Sequence, residues 1–307
     1  MDMSILLTKM VIFVVLMVIG YVGARAKLLN PEFTRAASKL TLNVFMTATI
    51  LNSVITNPPQ LSGGKLAEVM LACFVSVGFG YLLSALIVRL LPFNREKKPL
   101  MELLISVTNT MFIGVPVAEP VFGSQAVFYI ALSCIPFNVL LYTYGVWRLK
   151  QGGERAKLNW RDMVSVPLIA TLAALLIFAL KIPVPGVVKE LCGTLSPATV
   201  PMSMLVIGSS LGRVSLLDAF REKELYFVSL ARLVLVPLLT LLVLKLVTAD
   251  PVLLGAMVII AGCPSAVMVT VLAIQYGRDA EYSSKGILLN TVLSMVTMPA
   301  LVYFLLL

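Results

Sequence analysis

Ten long apolar runs, separated by short polar segments, constrain this 307-residue chain more than any other feature of its sequence. About 20 apolar residues suffice for a helix to cross the hydrocarbon core of a bilayer. Lipid offers no hydrogen-bond partners to the backbone, so runs this long must be helices rather than barrel strands. The sequence therefore predicts an all-α polytopic membrane protein. Its ten predicted transmembrane helices are 4–24, 37–56, 66–88, 100–123, 126–147, 163–182, 187–211, 225–248, 252–276 and 284–307.

The polar composition excludes several function classes. Only 13% of the residues are charged, and histidine is absent. Without histidine the chain lacks a Ser-His-Asp triad, an HExxH zinc site and the usual haem ligand. We therefore expect no catalytic residue, no metal site and no cofactor. The net charge of +9 comes from Lys and Arg scattered between the apolar runs, so we also expect no nucleic-acid partner.

The placement of the basic residues predicts the orientation in the membrane. Loops after the odd-numbered spans hold 18 Lys and Arg, whereas the opposite loops hold 3. Loops rich in Lys and Arg stay in the cytoplasm. We therefore expect a multi-pass protein of the plasma (inner) membrane, with both termini outside and the longest loop, 148–162, in the cytoplasm.

Two halves of opposite orientation follow from this topology: 1–147 and 163–307, five spans each, joined by the linker 148–162. Opposite orientation is the condition for an inverted-topology repeat. The fourth and ninth spans occupy equivalent places and carry Gly114-Val115-Pro116 and Gly262-Cys263-Pro264. Proline lacks an N–H, and glycine lowers the cost of unwinding. We predict that both helices are broken at these triplets and cross there.

Broken helices create a binding site from backbone groups. A new helix N-terminus exposes N–H groups and partial positive charge, which hold an anion, whereas a new C-terminus exposes carbonyls that can hold a cation. In lipid such ends persist only where they line a cavity. The sequence thus predicts a substrate site at the crossing. Its candidate residues are Asn109, Phe112, Gly114, Val115, Pro116, Asn138, Tyr142, Cys263, Pro264 and Ser265, with Arg232 and Glu119 as possible charge partners.

The uncharged polar candidates each have two interpretations. The Asn109 amide can contact a substrate, or it can bond a neighbouring helix and brace the broken backbone. Asn138 and Tyr142 lie one helical turn apart and either line the same cavity or bond other helices. Cys263 and Ser265 flank the second break, as lining residues or as small packing residues.

The charged candidates are also open to two interpretations. Arg232 lies inside the eighth span, where it either balances an anionic substrate or snorkels to the cytoplasmic face. Glu119 either binds a proton or a cation or lies among the outer headgroups. Because histidine is absent, any coupled proton must use Glu, Asp, Lys or water.

Several stretches of the chain resemble the auxin efflux carrier family, which includes plant auxin carriers and bacterial permeases for malate and malonate. The similar stretches are NTMFIGVPV at 109–117, SPATVPMSMLVIGSSLG at 196–212, GCPSAVMVTVLAIQYGRD at 262–279 and SSKGILLNTVLSMVTMP at 283–299. With the span count, the resemblance covers essentially the whole chain.

The resemblance implies two inverted five-helix repeats, with a scaffold of helices 1, 2, 6 and 7 and a transport unit of helices 3–5 and 8–10. It further implies that helices 4 and 9 cross at Pro116 and Pro264 and that Asn109 contacts the substrate. The long cytoplasmic loop of some plant members is absent here. Thr47 stands where members often have a proline.

The leading interpretation is a secondary transporter that moves a small organic anion, an auxin-like or malate-like carboxylate, by an elevator form of alternating access. No GxxxxGK[ST] loop is present to use ATP. Na⁺ or H⁺ are the candidate coupling ions, and a homodimer is a possible assembly. The alternative is an ion exchanger of the Na⁺/H⁺ type with a similar inverted-repeat fold. A membrane enzyme is disfavoured because no DDxxD motif occurs.

Overall fold

The computed structural model describes residues 3–56, 62–90, 92, 94–150, 164–213 and 216–306, so most of the predicted linker 148–162 lies outside the described residues. The described residues form helices, and their single pairing of extended backbone is an isolated bridge between Thr108 and Ser265. The helices are α1 Met3–Arg25, α2 31–55, α3 Gly63–Leu90, α4 Lys98–Ser106, α5 Thr110–Phe122, α6 Ser124–Leu149, α7 Val166–Leu180, α8 Gly186–Leu211, α9 Leu216–Arg221, α10 Lys223–Leu244, α11 Pro251–Gly262, α12 Met268–Gln275 and α13 Ala280–Leu301.

Five of the described helices are long and apolar enough to cross a membrane: α3, α6, α8, α10 and α13. Shorter apolar helices accompany them, namely Val11–Arg25 within α1, α5, α7 and α11. Large apolar side chains stand exposed along outward faces, as at Val15 and Val22 of α1 and Leu82 and Leu86 of α3. Exposed apolar surface of this extent fits a lipid environment. The chain is therefore an all-helical, multi-pass membrane protein.

Two pairs of consecutive short helices replace the long fourth and ninth spans. The chain leaves α4 at Val107 in an extended conformation, with ψ of 109°, and re-enters a helix at Thr110. It leaves α11 at Cys263, with ψ of 147°, and re-enters a helix at Met268. The second interruption coincides with the predicted Gly-Cys-Pro triplet.

The predicted position of the first break, at Gly114-Val115-Pro116, was wrong. The triplet lies inside α5, which begins with a π-helical turn, Thr110–Gly114, and continues as α-helix over Val115–Phe122. Pro116 occupies the first turn of that α-helical part. A proline is tolerated there because its missing N–H has little helical pairing to lose. The proline thus lies near the start of the second half-helix, and the break precedes it.

The first halves of the two interrupted helices form the centre of the molecule. Residues 100–107 and 255–265 are all buried. Apart from Glu102, Ser106 and Ser265, these residues are apolar, as expected for helices enclosed by other helices. α11 packs against α3, α5, α6 and α10, so the breaks lie deep inside the helical assembly.

A second contact region joins α1 to α8 through glycines. A Cβ atom added at Gly208 would lie 1.9 Å from the carbonyl oxygen of Met17, and one added at Gly20 would lie 2.3 Å from that of Leu205. Small residues allow helix backbones to approach this closely in membranes. α2 packs against both α7 and α8.

Candidate functional site

The two helix interruptions lie against each other and are joined by backbone hydrogen bonds. The N–H of Asn109 donates to the carbonyl of Pro264 at 2.8 Å, and the N–H of Ala266 donates to the carbonyl of Val107 at 3.0 Å. These bonds form the antiparallel bridge between Thr108 and Ser265. We call the paired segments 107–109 and 263–267 the crossing.

Ser265 and Asn290 brace the crossing from inside the protein. The fully buried Ser265 hydroxyl donates to the carbonyl of Leu104 at 2.5 Å and accepts a bond of 2.6 Å from the Asn290 amide. Asn290, on α13, was missed by the sequence reasoning. A signal was available, because an asparagine inside an apolar run is costly unless it is hydrogen-bonded.

Arg232 is the charged residue at the crossing. Its side chain is buried, with 1% of its surface exposed, so of the two interpretations left open by the sequence, snorkelling to the membrane face is wrong. The guanidinium donates to the carbonyl oxygens of Cys263 at 2.7 Å, Ile105 at 2.8 Å and Ile260 at 3.2 Å. These carbonyls belong to the C-terminal ends of both first half-helices, α4 and α11. Arg232 therefore binds backbone that the two interruptions have set free.

The C-terminal and the N-terminal helix ends at the crossing differ in their hydrogen bonding. Six carbonyls at the C-terminal ends accept hydrogen bonds from the protein: those of Leu104, Ile105, Val107, Ile260, Cys263 and Pro264. In α5 the first N–H that bonds back along the chain is that of Ile113, to Asn109 at 3.2 Å, and in the α12 segment it is that of Val269. The N–H groups of 110–112 and 267–268 come before those bonds and have no acceptor within their helix.

The structure divides the predicted site residues into half-buried and fully buried sets. Asn109, Phe112 and Tyr142 are half-buried, as is Glu119 further along α5, whereas the buried set is Gly114, Val115, Pro116, Asn138, Cys263, Pro264 and Ser265. The Asn138 amide donates to the carbonyl of Cys134 in its own helix at 2.8 Å. The Asn109 side chain makes no hydrogen bond within the described part of the chain, so its amide is available to a ligand.

A narrow cavity adjoins the crossing on the side of Arg232. Hydroxyl groups and one aromatic ring contribute to its wall: Ser76, Ser106, Thr108, Thr110, Ser133 and Phe137. Thr108 and Thr110 share a hydrogen bond of 2.5 Å between their hydroxyls. The crossing therefore has polar side chains beside it as well as polar backbone.

Interrupted helices that meet inside a multi-pass membrane protein are a construction typical of secondary transporters. Comparison with known sequences agrees with this class. The chain belongs to the membrane transport protein family, the auxin efflux carrier family indicated by its motifs, because the family profile matches residues 5–302.

Two archaeal relatives extend along nearly the whole chain. An uncharacterized transporter of Methanothermobacter thermautotrophicus is 26% identical over 291 residues, covering 93% of each chain. The uncharacterized transporter MJ1031 of Methanocaldococcus jannaschii is 26% identical over 296 residues, covering 93% of this chain and 94% of its own. The chain is thus similar over nearly its whole length to proteins described as transporters.

Proposed function

We propose that this protein is a secondary transporter of a small organic anion, a carboxylate, with its substrate site at the crossing. In this proposal the two halves are inverted repeats in the plasma membrane, with both termini outside. Helices α3–α6 and α9–α13 form a transport unit that moves against a scaffold of α1, α2, α7 and α8.

The observation that carries the proposal is the difference in hydrogen bonding between the C-terminal and the N-terminal helix ends at the crossing. Each helix end holds about half a unit charge, positive at the N-terminus and negative at the C-terminus. At the crossing the negative ends are bonded to Arg232, Ser265 and neighbouring backbone N–H groups. The N–H groups of 110–112 and 267–268, at the positive ends, have no backbone acceptor among the described residues. Free N–H groups at a helix N-terminus favour an anionic ligand.

Asn109 is the side chain best placed to add selectivity. Its backbone is held on both sides, because its N–H donates to Pro264 and its carbonyl accepts from Ile113. Its unbonded amide lies directly before the N-terminus of α5. One N–H of that amide can donate to a carboxylate oxygen, and Phe112 supplies half-buried apolar surface beside it. This arrangement favours a ligand with an anionic group and an apolar body.

The competing interpretation, a Na⁺/H⁺-type exchanger, needs a carboxylate at the crossing. The side chains that bond the crossing are those of Arg232, Ser265 and Asn290. Among the described residues the buried carboxylate is Glu102, in the middle of α4, which pairs at 2.6 Å with Arg148. The polar groups at the crossing therefore favour an anionic substrate over a coupled pair of cations.

Binding and uptake in proteoliposomes test the proposal directly. A panel of carboxylates, malate and indole acetate among them, should be compared with the corresponding neutral amides. A hydrogen bond to a charged group contributes about 1.5–3 kcal/mol, so Asn109→Ala should weaken carboxylate binding by roughly one to two orders of magnitude. Asn109→Asp should be more damaging, because it places a like charge beside the anion.

Asn52→Ala provides a matched control, since Asn52 lies in α2 and its side chain accepts a 2.6 Å hydrogen bond from Thr56. We expect this variant to bind carboxylates like the unmodified protein. Equal affinity for acid and amide would contradict the anion site. Tighter binding by Asn109→Asp would also contradict it and indicate a neutral or cationic substrate.

A further inference from the structure

Arg232 occupies the position where a bound cation would be most strongly held. It projects from a π-helical turn, Ala231–Leu235, in the middle of α10, and its side chain is enclosed by the protein. Its three hydrogen bonds to described residues all go to backbone carbonyls: Ile105 of α4, and Ile260 and Cys263 at the end of α11. No carboxylate takes part in these bonds.

Two negative helix ends converge on this one guanidinium. Each C-terminus contributes about half a negative charge, so together they approximate the charge of one monovalent anion. Unwound carbonyls and half-helix C-terminal ends are the groups that coordinate Na⁺ in transporters with broken helices. Here the same kinds of group are already bonded to a side chain that always carries its positive charge.

We propose that Arg232 is a resident cation of the crossing, covalently attached at the position that a dissociable Na⁺ would otherwise fill. This inference rests on the proposed anion transport and specifies its coupling: the crossing needs no alkali cation to hold its carbonyl ends together. Arg232 is a positioning residue, because it fixes α4 against α11 and so holds the free N–H groups of 110–112 and 267–268 in place.

Chemical rescue of a truncated side chain tests the assignment without using a substrate. Arg232→Ala exposes the three carbonyls to the hydroxyl-lined cavity beside them. The full chain is purified in detergent, and its melting temperature is measured in chlorides of guanidinium, Na⁺ and choline at equal ionic strength. We expect Arg232→Ala to melt below the unmodified protein and millimolar guanidinium to raise its melting temperature selectively.

Arg213→Ala is the matched control. Arg213 also donates to backbone carbonyls, those of Leu29 at 2.7 Å and Ser209 at 3.3 Å, but it lies at the end of α8 and is exposed. We expect no selective effect of guanidinium on this variant or on the unmodified protein. An equal response of Arg232→Ala and Arg213→Ala would overturn the proposal, as would a folded Arg232→Ala that ignores all three cations.

Transport provides the second measurement, with a variant that keeps hydrogen-bond donors but not the charge. We expect uptake by the unmodified protein to be equal in Na⁺, K⁺ and choline media, and uptake by Arg232→Gln to fall by roughly tenfold or more. Dependence of unmodified uptake on Na⁺ would overturn the proposal even if Arg232→Ala fails to fold. Full activity of Arg232→Gln would overturn it too.

The two measurements separate this proposal from the proposed function. If guanidinium rescues the melting temperature but no carboxylate is transported, the anion function fails and the resident cation stands. If carboxylates are transported but only with Na⁺, the anion function stands and the resident cation fails.

Discussion

Removing the Ser265 hydroxyl should destabilise the crossing more than the loss of one small polar group suggests. The hydroxyl connects the carbonyl of Leu104 to the amide of Asn290, and Ser265→Ala leaves both without that partner. The Asn290 carbonyl oxygen already lacks a partner within the described residues. Interhelical hydrogen bonds in membranes average about 0.6 kcal/mol, whereas a buried group left unpaired costs about 1–3 kcal/mol. We therefore expect the free energy of unfolding to fall by about 1–3 kcal/mol.

Thermal unfolding of the purified protein measures this change. For domains of roughly 150–250 residues, 1 kcal/mol shifts the melting temperature by about 2–4 °C, so about 1–3 kcal/mol corresponds to a shift of roughly 2–12 °C. Ser294→Ala is the control, because the Ser294 hydroxyl is also buried but bonds only the carbonyl of Thr291 in its own helix, at 2.7 Å. Its shift should be smaller, since no second helix loses a bond.

A double variant separates the hydrogen-bond network from simple packing. In Ser265→Ala with Asn290→Leu the orphaned amide is gone, so the double variant should be more stable than the sum of the two single changes predicts. Strict additivity would refute the reasoning. Equal shifts for Ser265→Ala and Ser294→Ala would refute it as well, because the crossing would then be no more sensitive than an ordinary helix.

Three further predictions concern the breaks, the α1–α8 contact and the orientation. Pro264→Ala supplies an N–H that lets α11 continue through its break. Carboxylate uptake should therefore fall roughly tenfold further than in Pro116→Ala, because Pro116 already lies inside a helix. Equal losses of uptake in the two variants would contradict this. Gly208→Ala forces a methyl group against the backbone of α1 and should cost about 1–3 kcal/mol of stability by thermal unfolding, whereas Gly193→Ala enters open space and should not. An impermeant maleimide should label Val187→Cys in intact cells, because Val187 is exposed and the native cysteines are buried. Labelling only after lysis would show that the orientation is the reverse of the predicted one.

The helical membrane architecture was predictable because it depends on long apolar runs and on the demand of lipid for paired backbone groups. The break at Cys263 was predictable for a similarly local reason, since a glycine and a proline interrupt an apolar run there. The break at 107–109 was not, because the sequence Val-Thr-Asn contains no residue that prevents a helix. Its extended backbone is held by the opposite segment, through the bond from Asn109 to Pro264, and such a partner is invisible in local sequence.

Partners distant in sequence also explain the other residues that were missed or left open. Arg232 could be recognised as an intramembrane charge, but its partners are carbonyls 28, 31 and 127 residues away along the chain. Glu102 lies near the start of the predicted span 100–123, where a membrane interface is the simplest location, yet it is buried and bonds Tyr144 and Arg148. The residue type alone indicates that such side chains are costly to bury, and only the fold shows which hydrogen-bond partners offset that cost.

The bracing of the crossing also bears on which parts of the protein move together. Arg232 ties α10 to the backbone of α4 and α11, and Asn290 ties α13 to the crossing through the Ser265 hydroxyl, so hydrogen bonds link these four helices. α1 and α8 are joined separately, by glycine contacts. One hydrogen bond connects the proposed scaffold to the proposed transport unit: the Thr171 hydroxyl donates to the carbonyl of Ala131 at a long 3.3 Å. The same hydroxyl also bonds the carbonyl of Pro167, in its own helix, at 2.8 Å. Because the bonds that hold the crossing all lie within the proposed transport unit, a rigid shift of that unit against the scaffold would carry the crossing along intact, which is what alternating access requires of a site built from backbone.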